Sequence, residues 1–447
     1  MALLQGWPHR RGDAVKSTVA RVASAVGALA LTLTAAGCGG SDGGSSSADG
    51  KSSVTFWGWA PGYAQAVKAF NASHPDIKVT YQAVQPGAKG GYQKMLNAVK
   101  AGNAPCLAQL GYETLPSFAA QGALQDVSAE VSADDQADFQ EAAWKSVSLG
   151  EQVFGAPVDT GPMALFYNKK VFDKLGLKPP ATWAEYRTAA EKIHAADPKH
   201  YVSSPYLNYD YAGLAWQADA GWFATKGDAW QVTMDSPANK KIADFWQGLA
   251  DDHLISSAPM YDQGWYTGLG NGDIATVVGA VWQAGVIKGG TKAGAGQWAV
   301  APMPQWDANA PKAGNAGGSA TAVLKGCDDT KAAWEFAHWL STDPTTYGTL
   351  IEKAALYPAA KKLLDLPQLN KADPYFGGQN IYPVFAEAAA QVGTDWTWGP
   401  LMTKTAADLD DGLGKAWAGK SSIADALSDA QKKTLAEMGK QGLKATP

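Results

Sequence analysis

Val54-Thr55-Phe56-Trp57 reads as a short β-rich run, and Gly58 to Gly62 reads as a Gly/Pro turn. Tyr63 to Asn71 follows with Ala66, Val67 and Phe70 at helical spacing, and His74-Pro75-Asp76 turns the chain into Ile77-Lys78-Val79-Thr80-Tyr81, which alternates as a strand. Strand, helix, strand within 30 residues points to an α/β lobe with a largely parallel sheet. Outward from this unit the pattern continues: a helix over Tyr92 to Ala101 stopped by Gly102, an apolar strand Cys106 to Gly111, and a helix starting at Leu115.

The alternation resumes past residue 150. Met163-Ala164-Leu165-Phe166-Tyr167 is an uninterrupted apolar strand, Lys169 to Leu175 a short helix, and Thr182 with Glu185 three residues on forms a capping box. Lys240 to Ala250 is an amphipathic helix, Asp273 to Val278 a buried-type strand, Ser319 to Leu324 a strand, Thr330 to Leu340 a helix, and Ser422 to Met438 a helical repeat. The Gly/Ala/Lys-rich stretches 284–296 and 308–318 read as loops, and the Asp251-Asp252 and Asp410-Asp411 pairs as solvated helix ends.

The N-terminus carries Arg10, Arg11, Lys16 and Arg21, then an uncharged run from Val22 to Thr34. A membrane-spanning helix needs about 20 apolar residues, so this shorter run reads as the apolar part of a secretory signal. Ala35-Ala36-Gly37-Cys38 resembles a bacterial lipobox, with Ala35 where Leu is usual, and implies acylation of Cys38. Gly39 to Ser47, nearly all Gly and Ser, is then a flexible tether to an outer membrane surface. The expected organisation is a signal at 1–37 and a lipidated, tethering segment at 38–51.

Roughly 400 residues remain, too many for one hydrophobic core, so two lobes are expected. The whole chain has 37 basic and 42 acidic residues. Residues 1–37 hold four of the former and one of the latter, which leaves a net charge of −8. That balance argues against nucleic acid or anionic lipid as the main partner. The 18 Trp outnumber 16 Tyr and 12 Phe, and many stand beside polar or Gly residues, as in Trp57-Gly58-Trp59 and Asp395-Trp396-Thr397-Trp398-Gly399. Such rings either fill cores or stack on the flat C–H faces of sugars.

The six His are scattered without metal-ligand spacing. No Gly-x-Ser-x-Gly elbow, phosphate loop or dinucleotide loop occurs. Carboxylate pairs for glycoside hydrolysis meet in space rather than in sequence, which keeps a surface-tethered glycosidase or lyase as the alternative reading.

Several segments together resemble the carbohydrate-type extracellular solute-binding proteins of ABC importers, the maltose-binding-protein-like group. Val54 to Trp59 with Asn71 to Val79 is similar to that family's first strand, helix and second strand. Ala101-Gly102-Asn103-Ala104-Pro105-Cys106-Leu107 resembles its Ala-Gly-x-x-Pro-Asp-Val element, with Cys106 in place of Asp. Gly155-Ala156-Pro157, Leu165 to Lys169, Pro180 to Glu185, Gly317-Gly318-Ser319 and Ala333 to Ala337 extend the likeness along the chain.

The resemblance implies an α/β, two-lobed periplasmic-binding-protein-like fold with a central ligand cleft and hinge crossovers, near Pro157 to Thr160 and Gly317 to Ser319. The N-terminal lobe would hold 52–158 plus 319–360, and the C-terminal lobe 159–318 plus 361–447. It implies ligand contacts from Trp59, Glu113, Asp159, Tyr209, Trp222, Trp282, Ser319 and Trp398, and a disulfide between Cys106 and Cys327 at the sheet end remote from the cleft. The function it implies is a lipid-anchored, monomeric extracytoplasmic receptor. That receptor delivers an oligosaccharide or related sugar to a membrane permease, with no catalytic residue, metal or cofactor. A receptor for a non-sugar solute is the remaining alternative.

Overall fold

In the computed structural model, described for residues 51–447 apart from 228, the chain begins with strand β1 (Ser52–Gly58), helix α1 (Tyr63–Ser73) and strand β2 (Ile77–Ala83). The helix buries Tyr63, Ala66, Val67 and Phe70. Asn71 pins it to β2, accepting from Val79 N at 2.8 Å and donating to Val79 O at 2.9 Å. Helix α2 (Gly91–Lys100), strand β3 (Leu107–Gly111) and helix α3 (Leu115–Ala120) repeat the alternation. The signal segment, the tether and Cys38 lie outside the described residues.

Strand β4 (Gly155–Asn168) is the spine of the molecule. Helix α4 (Asn208–Gln217), strand β5 (Thr276–Ala280), helix α5 (Gln283–Gly290), strand β6 (Trp298–Ala301), strand β7 (Asn315–Val323), helix α6 (Thr330–Thr342), strand β8 (Tyr357–Pro358), and helices α7 (Met402–Trp417) and α8 (Ile423–Lys440) follow. The first part of β4 pairs with β7 and β8, in the sheet that also carries β3, β1 and β2. From Met163 onward β4 pairs instead with β5 and β6. One strand therefore leaves one sheet and enters another.

Two cores surround these two sheets. One is built on Phe56, Leu110, Phe118, Val158, Val323 and Phe336, the other on Leu165, Trp183, Trp246, Val278, Trp298 and Leu409. Two cores are what a chain of this length requires once a single core stops growing. The first sheet is mixed, not largely parallel. β1 runs parallel to β2 and β3, while β7 runs antiparallel to both β3 and β4. The reason is connectivity: β4 leaves the first sheet and β7 returns from the second half, so they traverse it in opposite directions. The stretches read as loops also carry order, since α5 occupies 283–290 and β7 begins at Asn315.

A disulfide joins Cys106, just before β3, to Cys327, just past β7. Leu324 N donates to Cys106 O at 2.8 Å beside it. At the other end of the same strand pair Gly111 lies opposite Ser319, and there the two halves of the molecule meet.

Candidate functional site

The crossover of β4 and β7 is built from two consecutive glycines. Gly317 (φ 78°) and Gly318 (φ 92°) adopt the left-handed backbone that glycine enters without strain. A Cβ on Gly318 would lie 2.7 Å from the Tyr112 ring, and one on Gly317 would lie 3.3 Å from Trp282 Nε1. This is also where the register of β7 against β4 shifts, between Asn315 and Gly318.

Asp159 and Ser319 face each other across the crossover. Asp159 Oδ1 accepts from Ser319 N at 3.0 Å and from Ser319 Oγ at 2.6 Å. Gln109 extends the chain of bonds: its Nε2 donates to Ser319 Oγ at 3.5 Å and its Oε1 accepts from Trp59 N at 2.9 Å. Trp59 meets the Tyr92 ring edge-on, and Tyr92 OH donates to Glu113 Oε1 at 2.8 Å. Trp59, Glu113, Asp159 and Ser319 thus belong to one network on the first half.

Burial pushes the Asp159 carboxyl up to about 7, with the Glu113 charge adding to it, and burial raises Glu113 as well. The folded state then holds the Asp159 proton more tightly than the unfolded chain does. The associated stability is fully present below about pH 4 and is lost as pH rises through about 7. Asp159→Asn keeps an acceptor for Ser319 and cannot titrate. Urea unfolding of this variant between pH 4 and 8 should show a flatter decline than the parent, by up to about 1.4 kcal/mol per pH unit.

On the second half, α4 begins with Asn208, Tyr209 and Asp210. Asp210 is fully buried; both its oxygens accept from Tyr261 OH at 3.2 Å, and Oδ1 also accepts from Gln283 Nε2 at 3.2 Å. Gln283 Nε2 donates to Tyr261 OH at 2.7 Å too. These bonds hold Tyr261 at φ 68°, a backbone that a non-glycine residue adopts only where its surroundings enforce it. Burial carries Asp210 up to about 8, with the Asp410 charge adding to it.

The result is a cluster of three rings. Tyr209 stacks near Tyr261 at 6.3 Å and lies 6.2 Å from Trp282, and Tyr261 stacks near Trp282 at 6.4 Å. Trp282 Nε1 donates to Ala316 O at 2.9 Å, tying the cluster to the crossover. Asp410 fixes its base, accepting from Asn208 N at 2.8 Å and from Asn208 Nδ2 at 2.7 Å. It stands within α7, so it is not the solvated helix end that its neighbour Asp411 suggests in the sequence.

Trp282, Tyr382 and Trp398 are each partly buried against both cores. Trp398 packs edge-on with Trp396 at 5.2 Å and with Trp216 at 6.4 Å, and Trp216 and Trp396 are stacked at 5.0 Å. The halves also touch where Thr403 N donates to Ser117 Oγ at 3.2 Å.

Trp222 is a correction. Its ring is 0% exposed within the second core, with Nε1 donating to Asn239 Oδ1 at 3.1 Å, so it offers no face to a ligand. It lies beside Trp396 at 5.6 Å, one layer behind the rings that reach the interlobe region. Trp222→Phe should therefore leave ligand affinity within about twofold. It should lower stability by roughly 1–3 kcal/mol, because the buried Asn239 Oδ1 loses the donor that Trp222 supplies; calorimetry and chemical unfolding measure the two.

Residues that sequence reasoning missed hold this site in place: Gln109, Tyr92, Asp210, Tyr261, Gln283 and Asp410. Asp210 and Gln283 directly follow Tyr209 and Trp282, so adjacency was an available signal. Tyr261 and Asp410 reach the site only through the fold. Two surface cavities lie elsewhere, one of about 390 Å³ beside His194, His253 and Trp417, the other of about 310 Å³ beside Phe139 and Trp144.

The sequence and the fold match known proteins along most of the chain. Residues 58–347 fit the family model described as bacterial extracellular solute-binding protein. A lactose-binding protein from Rhizobium radiobacter is 24% identical over 76% of this chain and 82% of its own. The galacto-N-biose-/lacto-N-biose I-binding protein of an ABC transporter from Bifidobacterium longum, solved with lacto-N-biose, is 32% identical, with a TM-score of 0.79 over 90% of this chain and 100% of that one. An ABC transporter associated binding protein from B. animalis subsp. lactis, solved with β-1,6-galactobiose, is 30% identical, with a TM-score of 0.79 over 89% of this chain and 100% of that one. The chain belongs to the bacterial extracellular solute-binding protein family.

Proposed function

We propose that this protein is the extracytoplasmic receptor of an ABC importer, and that its ligand is a galactose-containing disaccharide or short oligosaccharide. One observation carries the reading: rings and carboxyl groups from both halves converge at the crossover of β4 and β7. A pyranose presents apolar C–H faces to rings and hydroxyl donors to carboxylates, and Trp59, Tyr209, Trp282 and Trp398 with Glu113 supply those partners. The galactose assignment rests on the relatives, whose names and bound ligands are lactose, lacto-N-biose and β-1,6-galactobiose.

The mechanism is a shift between open and closed states. A ligand touching both halves stabilises the closed state by its extra contacts there, and closure shapes the surface that a permease reads. The glycines at 317 and 318 and the Asp159–Ser319 bonds form the pivot. Cys38 holds the receptor, a monomer, to the outer face of the cell membrane through its lipid. The sugar is delivered intact, without catalysis.

Calorimetric titration of residues 51–447, which hold both cores, tests this reading. The panel is lactose, β-1,6-galactobiose, lacto-N-biose and an arabino-oligosaccharide, with the recovered sugar checked for cleavage. Saturable binding of an intact galactoside at roughly micromolar affinity, about −8 kcal/mol, is the expected result. Cleaved sugar would make the protein a glycosidase, and binding of the arabino-oligosaccharide alone would remove the galactose assignment.

A further inference from the structure

We infer that Asp210, Tyr261 and Tyr209 form a relay of hydrogen bonds, in which the proton on Asp210 sets Tyr209 as an O–H donor to the sugar. This deepens, and rests on, the reading of the ring cluster as part of a sugar site.

Protons are scarce in this cluster. Gln283 Nε2 carries two, and gives one to Tyr261 OH at 2.7 Å and the other to Asp210 Oδ1 at 3.2 Å. Tyr261 OH carries one, yet three oxygens stand around it: both of Asp210, each at 3.2 Å, and the hydroxyl of Tyr209. With Asp210 ionised, the Tyr261 proton goes to the carboxylate. Tyr209 then gives its own proton to the Tyr261 oxygen and offers a ligand only an acceptor. With Asp210 protonated, the acid O–H donates to the Tyr261 oxygen beside the Gln283 N–H. The Tyr261 proton is released to the Tyr209 oxygen, and the Tyr209 proton is free for a ligand. Asp210 is fully buried and Tyr209 only partly, so the relay runs from the core outward.

The surroundings favour the protonated form. Burial pushes the Asp210 carboxyl up to about 8, with Asp410 adding to it and the bonds from Tyr261 and Gln283 opposing it. The groups that face it are neutral or acidic: Tyr206 and Tyr209 at the start of α4, Tyr261, Gln283 of α5 and Asp410 of α7. Glu113 acts on Tyr209 from the opposite half. Burial holds all three tyrosines well above the ordinary phenol range. In the mildly basic range the relay therefore changes charge only at Asp210, which keeps its proton at neutral pH and loses it as pH rises through about 8.

The test is calorimetric titration of residues 51–447 with lacto-N-biose at about pH 7 and about pH 9. Affinity is expected to be about fivefold weaker at the higher pH, the worth of one hydrogen bond. Asp210→Asn points an N–H at Tyr261 that it cannot lose, and should bind equally at both pH values. Tyr209→Phe keeps the ring, ends the relay and should be flat as well. Asp159 titrates lower and is common to all three proteins, so its effect cancels in the comparison. Infrared difference spectra of the parent against Asp210→Asn read the proton without ligand. A protonated-carboxyl C=O band is expected at about pH 7 and gone at about pH 9. Should the asparagine variant not fold, the parent and Tyr209→Phe carry the comparison.

Absence of that band at neutral pH would overturn the relay whatever the sugar does. Parent affinities within about twofold of each other, or variants that fall in parallel with the parent, would overturn the donor role and leave the sugar site intact. No binding of lacto-N-biose, lactose or β-1,6-galactobiose at either pH would overturn the galactoside reading together with the relay built on it.

Discussion

Trp282→Ala should weaken disaccharide binding by about 30- to 100-fold, the equivalent of roughly 2–3 kcal/mol, while the protein remains folded. The ring is placed by three separate constraints. Val281 and Gln283 hold its backbone at the end of β5 and the start of α5, Ala316 accepts its indole N–H, and Tyr209 and Tyr261 pack against its face. It is packed against both cores, so a ligand seated between them is expected to meet it. Truncation removes an indole face on which a sugar would stack. It also leaves the Ala316 carbonyl without its donor and releases the two tyrosines it supports. Trp282→Phe separates these effects: it keeps a stacking face, loses the bond to Ala316, and should fall between parent and alanine variant. Calorimetric titration reads both. A loss under threefold for Trp282→Ala would remove this ring from the ligand site.

Replacing both cysteines, Cys106→Ser with Cys327→Ser, should lower the stability of the first lobe by about 2–5 kcal/mol without altering sugar affinity. The bond spans 221 residues, so it removes a large number of unfolded conformations, and that entropy is the source of the expected effect. It ties the start of β3 to the turn beyond β7, at the end of the sheet opposite Gly111 and Ser319. Unfolding in urea with and without a reducing agent should reproduce the double variant, because reduction removes the same link. Unchanged unfolding midpoints, or two free thiols on non-reducing peptide mapping, would show that the bond does not form.

What was legible in the sequence followed physical periodicity. Tyr63, Ala66, Val67 and Phe70 line one face of α1 because helical spacing places them there, and the cap at Thr182 is visible in its accepted bond from Glu185 N at 3.2 Å. The site was legible in part, through runs where function and local pattern coincide, such as Gly317-Gly318-Ser319. Trp222 shows the limit. Its glycine neighbour resembles that of Trp398, yet Asn239 of the helix Pro237–Asp251 and the Trp396 ring pack against it and it is fully buried. Asp410 shows the same limit in reverse, since its ordinary helix-surface context conceals a bond to Asn208, 202 residues away. Side chains that support a site from distant segments leave no trace in spacing.

The most direct test of the account is a crystal structure of residues 51–447 grown with the disaccharide that calorimetry selects. The account predicts the sugar between the two cores, with a ring face on Trp282 and a hydroxyl on Glu113. A sugar seated in the cavity beside His194, His253 and Trp417, with the region between the cores unoccupied, would contradict it.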